Sequence, residues 1–419
     1  MKHIVSVLIF VCCTSLSYAQ VDVGQYLDAV MDYSHRLAAA TAATEGADAD
    51  RLRARKGYLP SLDMDRDEDY SFRKPNGERR LGWAMRATVS QPIFDGGSVR
   101  AAAKQAEARY DVRASQERGT MLDVEYEAVA AYWSLSRADI YLRAMANYRD
   151  IVMSLRDVVK RRYDEGYTPK SDLLQVESRL SDAEYLYSSA EQQRLVALHN
   201  FNILCGAEPT RDVTLAESIL DTMYRPRREA FDDVVARHPD YLASLSESEY
   251  ARWGVRATWA EFLPSINLGV YGLWQPNTPN VKGAGTRLDG GVTLSFRTPI
   301  FHFGERRVAL RSARSAQRIA ALGVEDVVDR LSLEESDGWT NILSTEARVD
   351  AARRNLALAR ENLDISTYSY HEGMATILDV LQAQLSWLQI YENAIAAHYD
   401  YALAIAAYRR ITAVEERMR

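Results

Sequence analysis

The sequence predicts a mainly α-helical chain with four β-strands, built as a tandem duplication, and three observations carry that reading. Ser98–Arg162 and Glu305–Tyr370 run without proline and with only Gly119, Gly323 and Gly338 between them. Segments near 80–91, 265–274 and 287–298 instead alternate apolar and polar residues, the period of a strand. Blocks of residues from the first half return in the same order in the second.

The repeat sets the domain boundaries. Tyr58-Leu59-Pro60-Ser61-Leu62 returns as Phe262-Leu263-Pro264-Ser265-Ile266, 204 positions on. Pro92-Ile93-Phe94-Asp95-Gly96-Gly97 returns as Pro299-Ile300-Phe301-His302-Phe303-Gly304, 207 positions on. The shift of 207 also carries Tyr163, Glu165, Gly166, Asp172, Leu174 and Gln175 onto Tyr370, Glu372, Gly373, Asp379, Leu381 and Gln382. Three ordered blocks with one change of register divide the chain into repeats over roughly 20–210 and 211–419. Residues 1–19 read as a signal peptide. Lys2 and His3 precede the apolar stretch Ile4–Cys13, and Ser17-Tyr18-Ala19 forms a small-x-small cleavage site.

Each repeat reads as helix, strand, loop, strand, long helix, turn, returning helix. The leading helices are expected over Val23–Lys56 and Arg228–Glu261, ended by Pro60 and Pro264. In the strand near 80–91, Leu81, Trp83, Met85 and Val89 fall on one parity, and Arg86, Thr88 and Ser90 on the other. Near 287–298 the apolar set is Leu288, Val292, Leu294 and Phe296, and the polar set includes Arg287, Asp289, Thr293 and Arg297. Such a dyad suits a strand with one face in an apolar medium and the other in water. The strand that starts near Tyr58 is expected to be short. After Met64 the sequence turns to Asp65-Arg66-Asp67-Glu68-Asp69, and Asp65–Arg79 and Gln275–Gly285 read as the hairpin loops.

At about 1.5 Å per residue, each long helix of about 65 residues would measure roughly 100 Å. The returning helices, Ser171–Leu204 and Ile377–Arg417, are little over half as long. Gly166 and Gly373 stand where a C′ glycine would end each long helix. Thr168-Pro169 and Thr376 then form the N-cap and first turn of the return, with Asp172 and Asp379 placed to cap it or meet its dipole.

Composition excludes several classes. The mean hydropathy of −0.30 and the lack of any later run of 18 apolar residues rule out a bundle of membrane helices, though not a barrel. The 419 residues hold 51 basic and 58 acidic side chains. Taking Lys2 away with the signal leaves 50 against 58, a net of −8, which speaks against nucleic acid as a partner. Cys205 is then the single cysteine, so neither an intrachain disulfide nor a cysteine metal site is expected. His35, His199, His238, His302, His371 and His398 show no ligand spacing, and no HExxH, GxSxG or phosphate-binding glycine loop occurs. Neither an enzyme nor a cofactor is expected.

Four strands cannot close a barrel, and an open edge in hydrocarbon leaves backbone groups unpaired at several kcal/mol each. Membrane strands would therefore need several chains to share one barrel, of eight, twelve or sixteen strands. The duplicated order, the Leu-Pro-Ser junctions, Gln91-Pro92-Ile93-Phe94-Asp95-Gly96-Gly97, and the run from Glu372-Gly373-Met374 to Gln382-Ala383-Gln384 together resemble the TolC family of outer-membrane efflux proteins. His238-Pro239-Asp240 is similar to that family's Pro-acidic signature near each repeat start.

The resemblance implies a homotrimer whose twelve strands form one outer-membrane β-barrel, continuous with a periplasmic α-barrel of long helical hairpins. It implies a passive exit duct, fed by an inner-membrane RND or ABC transporter through a periplasmic adaptor. Arg86, Thr88, Ser90, Arg287, Asp289, Thr293 and Arg297 would line the lumen, and the apolar parity would face outer-membrane lipid. Tyr163, Gly166, Asp172, Gln175, Tyr370, Gly373, Asp379 and Gln382 would form the periplasmic entrance and tips, with Tyr370 hydrogen-bonding Asp172 in the closed state. Two positions depart from the best-studied pattern: Gln382 replaces a second acidic residue and Ala375 a linking arginine, which implies a weaker latch. The rival expectation is an exported helical tethering protein without a pore, to which the charged 65–69 run lends support.

Overall fold

The computed structural model describes residues 20–70, 81–221, 223–276 and 285–414. The expected signal peptide and most of both hairpin loops lie outside the described residues. In chain order the elements are α1 (Val23–Tyr33), α2 (His35–Lys56), β1 (Ser61–Tyr70), β2 (Leu81–Phe94), α3 (Ser98–Asp164) and α4 (Lys170–Leu204). They continue with α5 (Phe231–Arg237), α6 (Pro239–Ala260), β3 (Ser265–Pro276), β4 (Thr286–Arg297), α7 (Glu305–His371) and α8 (Ile377–Thr412). The two long helices contain 67 residues each, unbroken because no proline interrupts their hydrogen-bond ladders.

Both leading helices are broken where one continuous helix was expected. Ser34 leaves the helical region (φ −57, ψ 111), and its hydroxyl accepts the Leu37 N–H at 3.3 Å, so one residue ends α1 and caps α2. The second break falls 204 positions later at His238, whose φ of −68 and ψ of 129 are extended. There the cause is Pro239, whose ring disfavours helical geometry in the residue before it.

The chain divides into two compact units. The first takes the residues up to Ala39, Arg118–His238 and those from Asp329 onward; the second takes Ala40–Glu117 and Pro239–Val328. Burial in the first unit is concentrated along its helices. Tyr26, Tyr132, Trp133 and Phe201 form an aromatic cluster there, with Tyr26 stacked on Phe201 at 3.9 Å. Tyr26 donates its hydroxyl to the Phe201 carbonyl at 2.9 Å, which satisfies the polar end of a buried ring. Further along, Met145, Tyr148 and Val152 pack with Ala183, Ala190 and Leu388, small alanines letting the helices approach.

The second unit holds one antiparallel sheet in the order β1-β2-β3-β4. The strands contain 10, 14, 12 and 12 residues, each within or above the roughly 9–11 needed to span a bilayer. This corrects the expectation for the first strand: Asp65–Tyr70 belongs to β1 and is not loop. The physical reason is parity. Ser61, Asp63 and Asp65 stand opposite Ser90, Thr88 and Arg86, so the aspartates share one polar face. Leu62 and Met64 fall on the other face, and the two charges that follow there, Arg66 and Glu68, pair with each other.

Candidate functional site

The sheet separates its side chains by chemistry across all four strands. Directly opposed residues share a face, and register places Trp83, Met85 and Val89 with Val270 and Trp274, and these in turn with Leu288 and Val292. Leu294 and Phe296 continue the same face of β4. Leu288, Val292, Leu294 and Phe296 are 78%, 71%, 69% and 66% exposed, an apolar strand face that this chain leaves uncovered. Trp83 and Trp274 meet edge to face at 5.3 Å on that surface. Leu81 belongs to β2, but its side chain lies outside the described residues.

The opposite face carries Arg86, Thr88 and Ser90 beside Gly269 and Tyr271, then Asp289, Thr293 and Arg297. Arg86 lies 5.2 Å over the Tyr271 ring, Arg287 pairs with Asp289 at 2.9 Å, and the Ser61 and Ser90 hydroxyls meet at 2.8 Å. All seven residues read as lumen-lining therefore share one face. The aspartates Asp63, Asp65 and Asp67 join them; sequence reading missed these because alternate charges in an unbroken run look like a loop.

In the first unit, the α3–α4 and α7–α8 turns are built alike. Gly166 and Gly373 take positive φ values of 79 and 73. Gly166 donates to the Tyr163 carbonyl at 2.9 Å and Tyr167 to that of Arg162 at 2.8 Å. Gly373 donates to Tyr370 at 3.1 Å and Met374 to Ser369 at 2.8 Å. This is a Schellman motif in each repeat, and the left-handed glycine makes the reversal possible. Tyr163, Gln175 and Gln382 are exposed beside these turns.

The two returning helices start differently. Thr376 caps α8 in a full capping box: its hydroxyl donates to the Asp379 carboxylate at 2.7 Å, its backbone N–H donates there at 2.8 Å, and the Asp379 N–H donates back to the hydroxyl at 3.4 Å. These donors, the Thr376 hydroxyl first, lower the Asp379 pKa. The N-cap of α4 is Pro169, with no side-chain bond, so the expected capping role of Thr168 is not realised: its hydroxyl stands one residue too early. Among the described residues, the side-chain donor to Asp172 is the Ser171 hydroxyl, at 3.2 Å.

Tyr370 is buried, 5% exposed, in a cluster with Leu155, Val159, Val176, Ile377 and Val380. Burial raises its pKa, with Arg162 opposing and the nearby Asp172 charge adding. No Tyr370–Asp172 hydrogen bond forms among the described residues. Arg162 takes that role instead, 4.9 Å over the Tyr370 ring and donating to the Tyr370 and His371 carbonyls at 3.4 and 3.0 Å. Its sequence signal was faint, since a basic residue in a last helical turn is ordinary dipole chemistry. No group of histidine, cysteine, aspartate and glutamate among the described residues is arranged to hold a metal ion.

Comparison with known proteins agrees with this architecture. The chain matches the outer membrane efflux protein family over residues 27–207 and 230–414. It is 25% identical over 348 residues to outer membrane efflux protein BepC of Brucella suis, covering 81% of this chain and 73% of that one. It is 22% identical over 374 residues to outer membrane protein TolC of Escherichia coli, covering 84% and 73%. The crystal structure of the outer membrane protein VceC from Vibrio cholerae superposes with a TM-score of 0.78 at 18% identity, over 93% of this chain and 95% of that one. With matches in both halves and the same fold throughout, the chain belongs to the outer membrane efflux protein family.

Proposed function

We propose that three copies of this chain close one twelve-stranded outer-membrane barrel above a periplasmic α-barrel, as the exit duct of a tripartite efflux or type I secretion system. The chain is an outer-membrane channel protein and not an enzyme; the proposal concerns how it is assembled, fed and gated. The single observation that carries it is the registered two-faced sheet. An apolar face exposed along 12 residues of β4 suits lipid, and the face bearing Arg86, Thr88, Ser90, Arg287, Asp289, Thr293 and Arg297 suits a water-filled lumen. The tandem repeats, roughly 20–210 and 211–419, each supply one β-hairpin and one helical hairpin. Gly166 and Gly373 form the tips that a periplasmic adaptor grips, linking the duct to an inner-membrane RND or ABC transporter. Tyr163, Asp172, Gln175, Tyr370, Asp379 and Gln382 ring the entrance. The tethering alternative loses its support, because the charged 65–69 run is accounted for by β1.

The test is reconstitution of the purified mature protein into planar bilayers. Stepwise conductance from a stable trimer is expected. A soluble, non-conducting rod would reject the proposal.

A further inference from the structure

The sequence repeat is also a repeat of strand register. In the first hairpin Leu62 pairs with Val89, and in the second Ile266 pairs with Phe296. Moving Leu62 by 204 positions gives Ile266, and moving Val89 by 207 gives Phe296, the same two shifts that align the sequence blocks. The operation carries one hairpin ladder onto the other pair for pair. Between the hairpins lies one further seam, β2 against β3, where Ser90 faces Gly269. Each repeat thus presents its second strand to the first strand of the next repeat, but the second repeat has no third to meet. Among the described residues no strand of the chain pairs with the outer edges of β1 and β4.

We propose that β4 of one copy pairs with β1 of the next in the register of the β2–β3 seam, which sets Arg297 directly opposite Asp65 of the neighbouring copy. The assignment rests on the shared barrel proposed above and specifies its joint. Moving Ser90 by 207 gives Arg297, and moving Gly269 back by 204 gives Asp65. The same rule carries Phe94 and Ile266 to Phe301 and Leu62, apolar residues 70% and 73% exposed.

Two further observations agree with it. The first is charge. Arg297 is exposed with no ion-pair partner among the described residues, and the β1 edge offers it Asp65 with Asp63 and Asp67 diagonally placed. Asp65 then lies between Arg86 of its own chain and Arg297 of the neighbour. The second is the strand-to-helix junction. At Gly96 (φ 68) a Cβ would stand 2.7 Å from the Leu263 Cβ, so the first seam admits only glycine there. The equivalent residue in the second repeat is Phe303, held at a φ of 41 with its side chain 93% exposed and its ring 4.7 Å from that of Phe301. A bulky residue in the left-handed region persists where its surroundings hold it. In the proposed pairing the joint between copies is wider than the seam within a chain, with the two exposed phenyl rings turned toward Leu59 of the neighbour, the counterpart of Leu263.

The test uses the full-length protein in outer membranes with Cys205→Ala. Arg297→Cys is combined in turn with Asp63→Cys, Asp65→Cys and Asp67→Cys, and disulfides are formed by mild oxidation. Within one chain β1 and β4 lie three strand spacings apart, about 14 Å, so a disulfide reports contact between copies. Covalent dimers and trimers on denaturing gels should be severalfold more abundant with position 65 than with 63 or 67, and absent from single-cysteine variants. As a second measurement, Arg297→Asp and Asp65→Arg alone should each lower the temperature at which the trimer dissociates in detergent, and the double exchange should recover part of the loss of Asp65→Arg, the remainder reflecting the arginine placed against Arg86 of the same chain. A conducting trimer that cross-links best at 63 or 67, or at none, or shows no restoration, overturns this register while leaving the duct intact. A chain that neither associates nor conducts overturns the duct and the joint together.

Discussion

Arg162 in the last turn of α3 lies 4.9 Å over the ring of Tyr370 in the last turn of α7 and donates to two carbonyls there, those of Tyr370 and His371. One guanidinium thus ties together the ends of both long helices, residues 208 positions apart in the chain. It gives the Tyr370 carbonyl a second donor beside the Gly373 N–H, bonds the His371 carbonyl at the helix end, and places positive charge at the negative end of the α7 dipole. Because Tyr370 is also packed among Leu155, Val159 and Ile377, the contact couples the turn to the apolar core.

Removing that brace should loosen the α7–α8 turn without unfolding the chain. An exposed guanidinium–ring contact is worth about 0.5–1 kcal/mol, with the hydrogen bonds adding to it. Arg162→Ala should therefore speed amide exchange at Gly373 and Met374 by about fivefold, since one or two kcal/mol is a factor of 5–30. Mass-spectrometric hydrogen exchange reads this directly. Unchanged protection would show that the brace contributes nothing.

Asp172 and Asp379, proposed above to line the entrance, should behave differently. Asp379 already spends its carboxylate on the Thr376 hydroxyl and N–H, whereas Asp172 holds one serine hydroxyl. Multivalent cations blocking the single-channel current should consequently lose more affinity in Asp172→Asn than in Asp379→Asn. Asp379→Ala should in addition fray the start of α8, visible as faster exchange at Ile377–Asp379. Equal relief of block by the two asparagine variants would refute the distinction.

Acid should act on the first unit through Glu335. This carboxylate, on a side chain 3% exposed, accepts from Arg228 Nε and Nη2 at 3.0 and 2.9 Å and from the Tyr408 hydroxyl at 3.2 Å. The Arg228 hydrogen bonds come first in lowering its pKa, which outweighs desolvation. A carboxylate with a folded pKa below the unfolded value of about 4.3 stabilises the protein above that pH and loses the contribution as pH falls toward the folded pKa. Glu335→Gln should cost about 1–3 kcal/mol at pH 7 and flatten the stability profile below pH 4–5. Thermal denaturation across that range is the check, and a variant with the parent's acid limb would contradict it.

His398 should impose a second, milder limit. Its Nδ1–H donates to the Ala394 carbonyl at 2.8 Å, and Nε2 accepts from Arg353 Nε at 3.2 Å, the tautomer that both contacts require. Burial lowers its pKa, and the Arg353 charge pushes the same way. A neutral buried histidine stabilises the fold above the unfolded pKa of about 6.5, and its contribution is lost as pH falls below that. The parent should lose more thermal stability between pH 7.5 and 5.5 than His398→Gln. The two losses being equal would remove histidine from the account.

Much of the architecture was legible because its signals are local. Proline-free stretches read as the two long helices to within two residues at their ends. The parity of 287–298 was legible because each apolar residue there is followed by a smaller or polar one. Ser34 was not read as a break, since a serine inside a helical pattern is unremarkable until its hydroxyl is seen capping the next segment. The run from Asp65 to Asp69 misled for a related reason: Arg66 and Glu68 occupy the apolar parity, and only their mutual pairing makes a strand of it.

The sequence by itself determined the duplication, the helical and strand periods, and the glycine reversals at 166 and 373. Each depends on bonds and steric limits within a few residues. Tertiary structure decided which charges are shared: Arg162 on Tyr370, Arg228 on Glu335, Asp379 held in its cap, and Arg297 on a strand edge without an ion-pair partner among the described residues. Such partnerships depend on which residues the helix crossings and strand register bring within a few ångströms of each other. Residues 100 or 200 positions apart carry no local trace of having met.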